Sequence, residues 1–305
     1  LTMSAVEIPP SLTRLLTRQD NVVATWQLTV PLRRAAARAA RRGEWRRLTK
    51  KTYLAAPAPP TPRQRAWAAA LHGGSQARIC GRNALVLLGW ADELRAPFDV
   101  VVPHSVQPAS GPEWLRIHRV SLVPTGPAAT PPHTWAHVAA ARAAAWARTD
   151  REATLIVISA LQQRLIEPRR LLQTVELLPR LPRRRLVAEL VREFNGGAHS
   201  LNELDFAALC HRYDVPPPRR QAKRYDSAGQ LRAIDVEFVT VSGKILRLEI
   251  EGIQHLNPDN YFADITRHNQ LQIADPAVGL RVMSWTLSHE PAPFMTQLRA
   301  WVLEL

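Results

Sequence analysis

The clearest constraint on the fold is a period of two in the apolar residues that begins near residue 231. In Leu246–Glu251 apolar residues alternate with charged ones, and Ile234–Val239 alternates in the same way, with the turn sequence Ser242-Gly243 between them. Because successive side chains of a strand point to opposite faces, this pattern predicts a β-hairpin with one apolar and one charged face. A helix at 265–273, a strand at 280–284 and a closing helix at 293–305 are also expected, so 198–305 is predicted to be an α/β domain.

Acidic residues concentrate on the charged face of this hairpin. Glu249 and Glu251 lie on it together with Arg247, and Asp235 and Glu237 share a face of the partner strand. Pairing of the two strands lets these carboxylates converge, and a cluster of like charges is unfavourable unless a cation neutralises it. Carboxylate oxygens are the ligands that Mg²⁺ or Mn²⁺ prefers. The hairpin therefore predicts a metal site that activates water for phosphodiester hydrolysis.

His255 follows Glu251 by four residues, just past the expected end of the strand. A histidine at this place can act as a general acid or base beside a scissile phosphate. The alternative is an ordinary solvated sheet face. Against that alternative, Asp is disfavoured in strands, and carboxylates that face each other across two strands repel.

A strongly basic segment is the second constraint on the chain. Residues 31–51 contain nine Lys or Arg residues against one acidic residue, Glu44, which is a net charge of +8 out of +14 for the whole chain. Pro31 is typical of the first turn of a helix, and Gly43 is typical of the position after its last turn. Between them, small apolar residues form a stripe opposite the arginines. The candidate nucleic-acid contacts of this segment are Arg34, Arg38, Arg41, Arg42, Arg46, Arg47, Lys50 and Lys51.

The elements around this basic helix predict its role. Two short helices are expected upstream, at Ser11–Leu16 and Val22–Leu28, and two short strands downstream, at 45–48 and 51–54. Helix, helix, basic helix and basic hairpin is the winged helix-turn-helix layout, in which the third helix enters the major groove of DNA. Contacts to phosphates would then make the affinity sensitive to salt. Residues 1–56 are predicted to be such a DNA-binding domain, with an ordinary solvated helix and hairpin as the alternative.

Composition narrows the possible partners and location. A net charge of +14 favours a polyanion, either nucleic acid or an acidic membrane surface, although a GC-rich genome also inflates Arg, Ala and Pro together. No apolar run in the sequence reaches the length of a membrane span, and the first residues lack the pattern of a signal peptide. Cys80 and Cys210 are isolated, which argues against a disulfide framework or a zinc site. We therefore expect a cytoplasmic protein that binds DNA and not a membrane.

Two Pro-rich joints, near 56–62 and 129–132, divide the rest of the chain. Residues 63–130 are predicted to be a small α/β middle domain, with helices before residue 90 and strands at 99–102 and 115–123. Residues 131–197 are predicted to be a helical connector. Its basic cluster fits a solvated face better than a DNA contact; the cluster consists of Arg180, Arg183, Arg184 and Arg185.

Five motifs stand in a recognisable order in 198–305: Ser200–Phe206, Pro217–Gln221, Ile234–Val236, Leu248–His255 and Asp264–Asn269. Together they resemble the Vsr-like endonuclease domains, relatives of the very-short-patch-repair endonucleases in the restriction-endonuclease-like PD-(D/E)xK superfamily. The resemblance implies a DNA endonuclease that uses Mg²⁺ or Mn²⁺. It implies that Asp235 binds the metal together with the acidic site residues Glu203 and Glu249. It further implies that His255 is the catalytic histidine, and Glu251 is included among the candidate catalytic residues.

This sequence departs from the superfamily pattern in two ways. Glu251 occupies the position two after Glu249 where the superfamily has a catalytic lysine, although the Vsr-like branch also lacks that lysine and relies on histidine. Glu251 also replaces the branch's usual Asp, which lengthens the reach of the carboxylate by one methylene. The N-terminal 90 residues resemble the winged-helix region of abortive-infection-type antitoxins. The alternative function is therefore a non-catalytic DNA-binding regulator that keeps a nuclease fold as scaffold; an RNA-acting protein is a third interpretation that depends on charge alone.

Overall fold

The computed structural model describes residues 9–121, 123, 126, 131–178, 180–196, 203–218, 220–225, 231–251 and 279–304. In these ranges, helices and three small sheets are divided between two compact units. The N-terminal unit comprises Leu1–Ile156 and Gln163–Arg184, and the C-terminal unit comprises Val157–Gln162 and Arg185–Leu305. The coarse prediction of a multi-domain α+β architecture is confirmed. Within the described ranges, no helix is both long and apolar enough to cross a membrane.

The N-terminal unit begins with helix α1 (Pro10–Arg18), strand β1 (Val22–Ala24), a 3-10 turn (Thr25–Gln27), helix α2 (Val30–Arg41), and strands β2 (Arg46–Arg47) and β3 (Thr52–Leu54). The strands are antiparallel in the order β1-β3-β2, which confirms the predicted basic hairpin. The prediction of a helix at Val22–Leu28 is wrong for its first half. Val22 and Val23 are β-branched and fully buried, and they pair with Leu54 and Tyr53 instead of continuing a helix.

Helix α2 ends where the sequence predicts. Pro31 lies in its first turn, and Gly43, two residues past its end, has φ 77° in the left-handed region that favours glycine. The buried side of the helix consists of small residues, which let it pack closely on its neighbours. This core contains Ala35, Ala36 and Ala39 together with Leu12, Leu16, Val23, Trp45 and Tyr53.

A second three-stranded sheet lies in the same unit, with strands β4 (Arg78–Ile79), β5 (Phe98–Pro103) and β6 (Leu115–Val120) in the order β4-β5-β6. Its strands confirm those predicted at 99–102 and, as far as Val120, at 115–123. Strands β5 and β6 are parallel, so Pro103 and Val120 end at the same edge of the sheet. The helices that follow β3 are α3 (Pro62–Gly73), α4 (Gly81–Leu87), α5 (Ala136–Trp146), α6 (Asp150–Gln162), which begins in this unit, and α7 (Pro168–Leu177).

The C-terminal unit contains a four-stranded sheet in the order β10-β9-β8-β7. Its elements are α8 (Arg184–Gly196), α9 (Glu203–Arg212), β7 (Arg220–Tyr225), β8 (Leu231–Val239), β9 (Ile245–Glu251), β10 (Gly279–Met283), α10 (Ser284–His289) and α11 (Pro291–Leu303). Strands β7, β8 and β9 form an antiparallel meander, which confirms the predicted hairpin, and β10 runs parallel to β9. A parallel pair cannot be joined by a hairpin turn, and 27 residues separate β9 from β10 in the sequence. The helix predicted at 265–273 lies outside the described residues.

One face of this sheet carries the core of the unit. Val236 and Phe238 of β8 are buried, as are Leu248 and Ile250 of β9. These residues alternate with the charged positions as the sequence predicts. They pack with residues of the flanking helices, including Phe206, Cys210, Phe294, Met295 and Leu298.

Candidate nucleic-acid interface and candidate metal site

One side of helix α2 presents arginines that are not paired within the described structure. Arg34, Arg38 and Arg41 follow the i, i+4, i+7 spacing that places residues on one helical face, and all three are exposed. No hydrogen bond or ion pair joins their guanidinium groups to any residue that the structure describes. Val30 begins the same face and is 56% exposed. An unpaired cationic face of this kind is available to bind a polyanion.

Arg42 differs from the other arginines of this helix. Its Nε and Nη2 donate hydrogen bonds to the two carboxylate oxygens of Glu44 at 2.7 and 3.0 Å. The bond lowers the pKa of the Glu44 carboxyl and raises the pKa of the Arg42 guanidinium. Because both side chains are exposed, the pair adds little stability, but it already compensates the charge of Arg42.

The cations of the β2–β3 hairpin are held in place without losing their charge. Arg46 Nε donates to the carbonyl of Pro57 at 3.0 Å, and Arg47 Nη2 donates to the carbonyl of Lys50 at 3.0 Å. The Lys50 ammonium donates to Ser110 Oγ at 2.7 Å. All these acceptors are neutral oxygens, and Lys51 is half-buried beside them. The hairpin therefore extends the positive surface that begins on α2.

Two arginines of the second basic cluster, Arg183 and Arg184, have structural roles instead. Arg183 Nε lies 2.6 Å from Asp150 Oδ1, and its Nη1 donates to the carbonyls of Ala145 and Ala147 at the end of α5. These carbonyls have no partner within the helix, so the guanidinium caps its C-terminus. Arg184 Nε donates to the carbonyl of Val175 at 2.8 Å. The sequence predicts a solvated face for this cluster, whereas Arg183 and Arg184 contact carbonyl groups of their own chain, which argues against DNA contact by either residue.

The strand register places the predicted acidic residues. Asp235 of β8 is the direct cross-strand partner of Glu249 of β9, on the face opposite the buried core. Glu251 lies two positions further along the same face, opposite Ala233. Glu203 is the first residue of α9, and His255 lies outside the described residues. The backbone thus brings two of the predicted metal ligands together, and it leaves the positions of Glu203 and His255 as predictions.

The neighbouring pair of this hairpin is already neutralised. Glu237 is the cross-strand partner of Arg247, and Arg247 Nε donates to Glu237 Oε1 at 3.2 Å. Arg247 is largely exposed, whereas Glu237 is mostly buried. This carboxylate therefore has its own cation, which separates it from the pair formed by Asp235 and Glu249.

Sequence reasoning missed one residue in this row. Arg281 of β10 is the register partner of Glu249, so Asp235, Glu249 and Arg281 lie side by side on three adjacent strands. The sequence feature that could have identified Arg281 is its position between two apolar residues, Leu280 and Val282. Both of these residues are buried in the structure. The sequence alone could not assign the parallel pairing of β10 with β9. Arg281 therefore places a positively charged residue in register with Glu249.

Only some of the candidate ligands in the described residues suit a metal ion. Within the described residues, no group of three or more His, Cys, Asp or Glu residues forms a metal site. The register pair of Asp235 and Glu249 offers hard oxygen ligands, which fit Mg²⁺ when waters complete the coordination. Cys80 and Cys210 do not fit, because burial raises the pKa of each thiol to about 11 and keeps it protonated.

The chain matches no protein-family model, and no curated protein is significantly similar to it. The resemblance to Vsr-like endonuclease domains therefore stays a prediction that rests on the motifs in 198–305.

Proposed function

We propose that the chain is a cytoplasmic DNA-binding protein whose C-terminal unit hydrolyses DNA phosphodiester bonds with the help of Mg²⁺ or Mn²⁺. The observation that carries the proposal is the cross-strand register of Asp235 with Glu249, with Arg281 next to them. Two facing carboxylates repel each other, and a bound divalent cation relieves that repulsion. A pair of this composition, in a chain that also carries a basic surface on α2, suits a nuclease.

The N-terminal elements support the DNA-binding part of the proposal. Their order is helix, strand, 3-10 turn, helix and β-hairpin, with the hairpin completing a three-stranded sheet. This order suits a winged helix-turn-helix in which the 3-10 turn takes the place of the second helix. Helix α2 would enter the major groove, and the β2–β3 hairpin would act as the wing. Arg34, Arg38 and Arg41 would contact phosphates first, because none of them is committed to another described residue.

In the C-terminal unit, Asp235 and Glu249 would hold the metal ion, and Glu203 at the start of α9 would join them. When bound, a divalent ion lowers the pKa of a coordinated water and neutralises charge that develops on the phosphate. Arg281 would balance the charge of the carboxylate pair and donate to a phosphate oxygen, for which its planar guanidinium is suited. His255 would hold or transfer a proton at the attacking water or the leaving oxygen.

The test is cleavage of supercoiled and mismatch-bearing DNA by the purified chain with Mg²⁺, Mn²⁺ or EDTA. Asp235→Asn should abolish metal-dependent cleavage, and His255→Ala should leave slow cleavage, lower by about 10²–10⁴-fold. Glu237→Gln is the matched control, because Glu237 lies on the same face of β8 but is already paired with Arg247. Equal cleavage by the wild type and Asp235→Asn would contradict the proposal.

A non-catalytic DNA-binding regulator is the second candidate function. The register of Arg281 with Glu249 favours it, because an arginine can neutralise a carboxylate without any metal. The basic surface of the N-terminal unit would serve a regulator equally well. Tight DNA binding without cleavage of any substrate, and with no effect of Asp235→Asn on binding, would favour this function over the nuclease.

A further inference from the structure

A cavity of about 860 Å³ lies in the N-terminal unit at the carboxyl ends of the parallel strands β5 and β6. His104 follows the end of β5, and Val120 and Ser121 stand at the end of β6. Helices α5 and α7 supply the other walls. Ligands of α/β proteins commonly bind outside the carboxyl ends of parallel strands, and small-molecule sites are commonly of this size.

The charged residues of the described lining are all arginines. Arg119, Arg142 and Arg180 reach it from β6, α5 and the segment after α7, and no Asp or Glu belongs to the described lining. Arg119 Nη2 donates to the carbonyl of His104, a neutral acceptor, so its charge remains uncompensated there. Three arginines from separate parts of the chain line one cavity, and this composition suits an anion with several oxygen acceptors.

Histidine, hydroxyl-bearing and aliphatic side chains also line the cavity. Burial lowers the pKa of His137, and the positive charge of Arg170 lowers it further, so the imidazole is neutral near pH 7 and can accept or donate a hydrogen bond. Ser121 and Thr174 add hydroxyl groups. The remaining walls are aliphatic, which suits a ligand with an apolar or flat ring portion as well as an anionic one.

We infer that this cavity binds an organic phosphate of nucleotide size, with Arg119, Arg142 and Arg180 around its phosphate groups and the leucine and valine side chains around its organic part. The inference is independent of the proposed nuclease function. Phosphate of this kind can come from a free nucleotide or from the phosphorylated end of a nucleic-acid strand. Both sources share the same chemistry, and they differ in the size and charge of the group that the phosphate is attached to.

The test is isothermal titration calorimetry and thermal shift of the full chain with AMP, ATP, adenosine and a 5′-phosphorylated dinucleotide. AMP or ATP should bind and raise the melting temperature, and adenosine should bind at least about 10-fold more weakly, because it lacks the charged acceptors. Preferential binding of the dinucleotide would assign the cavity to strand ends, and preferential binding of AMP or ATP would assign it to free nucleotides. Both results support the inference.

Arg180→Gln and Arg119→Gln should each weaken binding of AMP or ATP by about 10-fold or more. Arg180 is exposed, and it follows α7 outside any helix, so its replacement should leave the fold intact even if changes at Arg142 do not. Arg116→Gln is the matched control, because Arg116 is an exposed arginine of β6 outside the cavity lining. Equal binding of adenosine and AMP, no binding of any phosphate, or equal weakening by Arg116→Gln would overturn the inference.

Discussion

Replacing Arg34, Arg38 and Arg41 together with glutamine removes three charges from α2 without touching its buried alanine side. Each arginine is exposed and has no described partner, so each is free to displace one condensed counterion from DNA. A phosphate contact contributes about 0.9 to the slope of log K against log salt, so the slope should fall by about 2.7. Between 50 and 200 mM salt, this change is equivalent to about a 40-fold difference in affinity.

Fluorescence anisotropy with a labelled duplex at several salt concentrations measures this slope. The control is a variant in which Arg14, Arg18 and Arg116 become glutamine, since it removes the same charge from exposed positions of the same unit. Arg42→Gln alone should change the slope less than any arginine of the triple variant, because Glu44 already compensates Arg42. A triple variant with an unchanged slope, or a control variant with an equal loss, would refute the assignment of α2 as the DNA-binding face.

Three further predictions concern stability. Burial lowers the pKa of His72 and of His133, so both side chains are neutral in the folded protein and take up protons on unfolding. The free energy of unfolding, measured by urea titration, should therefore fall as the pH decreases below 6.5, by up to about 1.4 kcal/mol per pH unit for each histidine. Arg183→Ala should cost about 1–3 kcal/mol because it uncaps α5, whereas Arg180→Ala should cost less than about 0.5 kcal/mol. Asp235→Asn should leave the melting temperature of the metal-free chain unchanged or slightly higher, since it relieves like-charge repulsion, and a large decrease would assign the carboxylate a structural role.

Local signals are sufficient for the parts of the fold that the sequence predicts correctly. The hairpin of β8 and β9 follows from an alternation of period two on both sides of Ser242-Gly243, where Gly243 has φ 83°. That alternation also fixes which residues share the face of Asp235, so the pairing with Glu249 could be anticipated from residues within about twenty positions of each other. Helix α2 is similarly bounded by its own Pro31 and Gly43.

Contacts between distant parts of the chain account for the features that the sequence does not predict. Strand β1 pairs with β3 about thirty residues away, so Val22 and Val23 become a strand although their local pattern allows a helix. Arg281 comes next to Glu249 only through a crossover, and no local pattern sets the register of a parallel pair. The cavity is lined from β5, β6, α5 and α7, so its cationic character appears only after these segments are packed together.

The arginines show why a net charge of +14 does not by itself define a binding surface. Arg183 and the arginines of α2 both belong to basic runs of the sequence. Their partners separate them: Arg183 contacts Asp150 and the carbonyls at the end of α5, whereas Arg34, Arg38 and Arg41 contact no described acceptor. A guanidinium that satisfies buried carbonyls would lose those hydrogen bonds on turning to a phosphate, but an unpaired one loses only water. Between these two groups of arginines, the free energy available for binding a polyanion is therefore larger on α2 than at Arg183, which the chain already uses to cap its own helix.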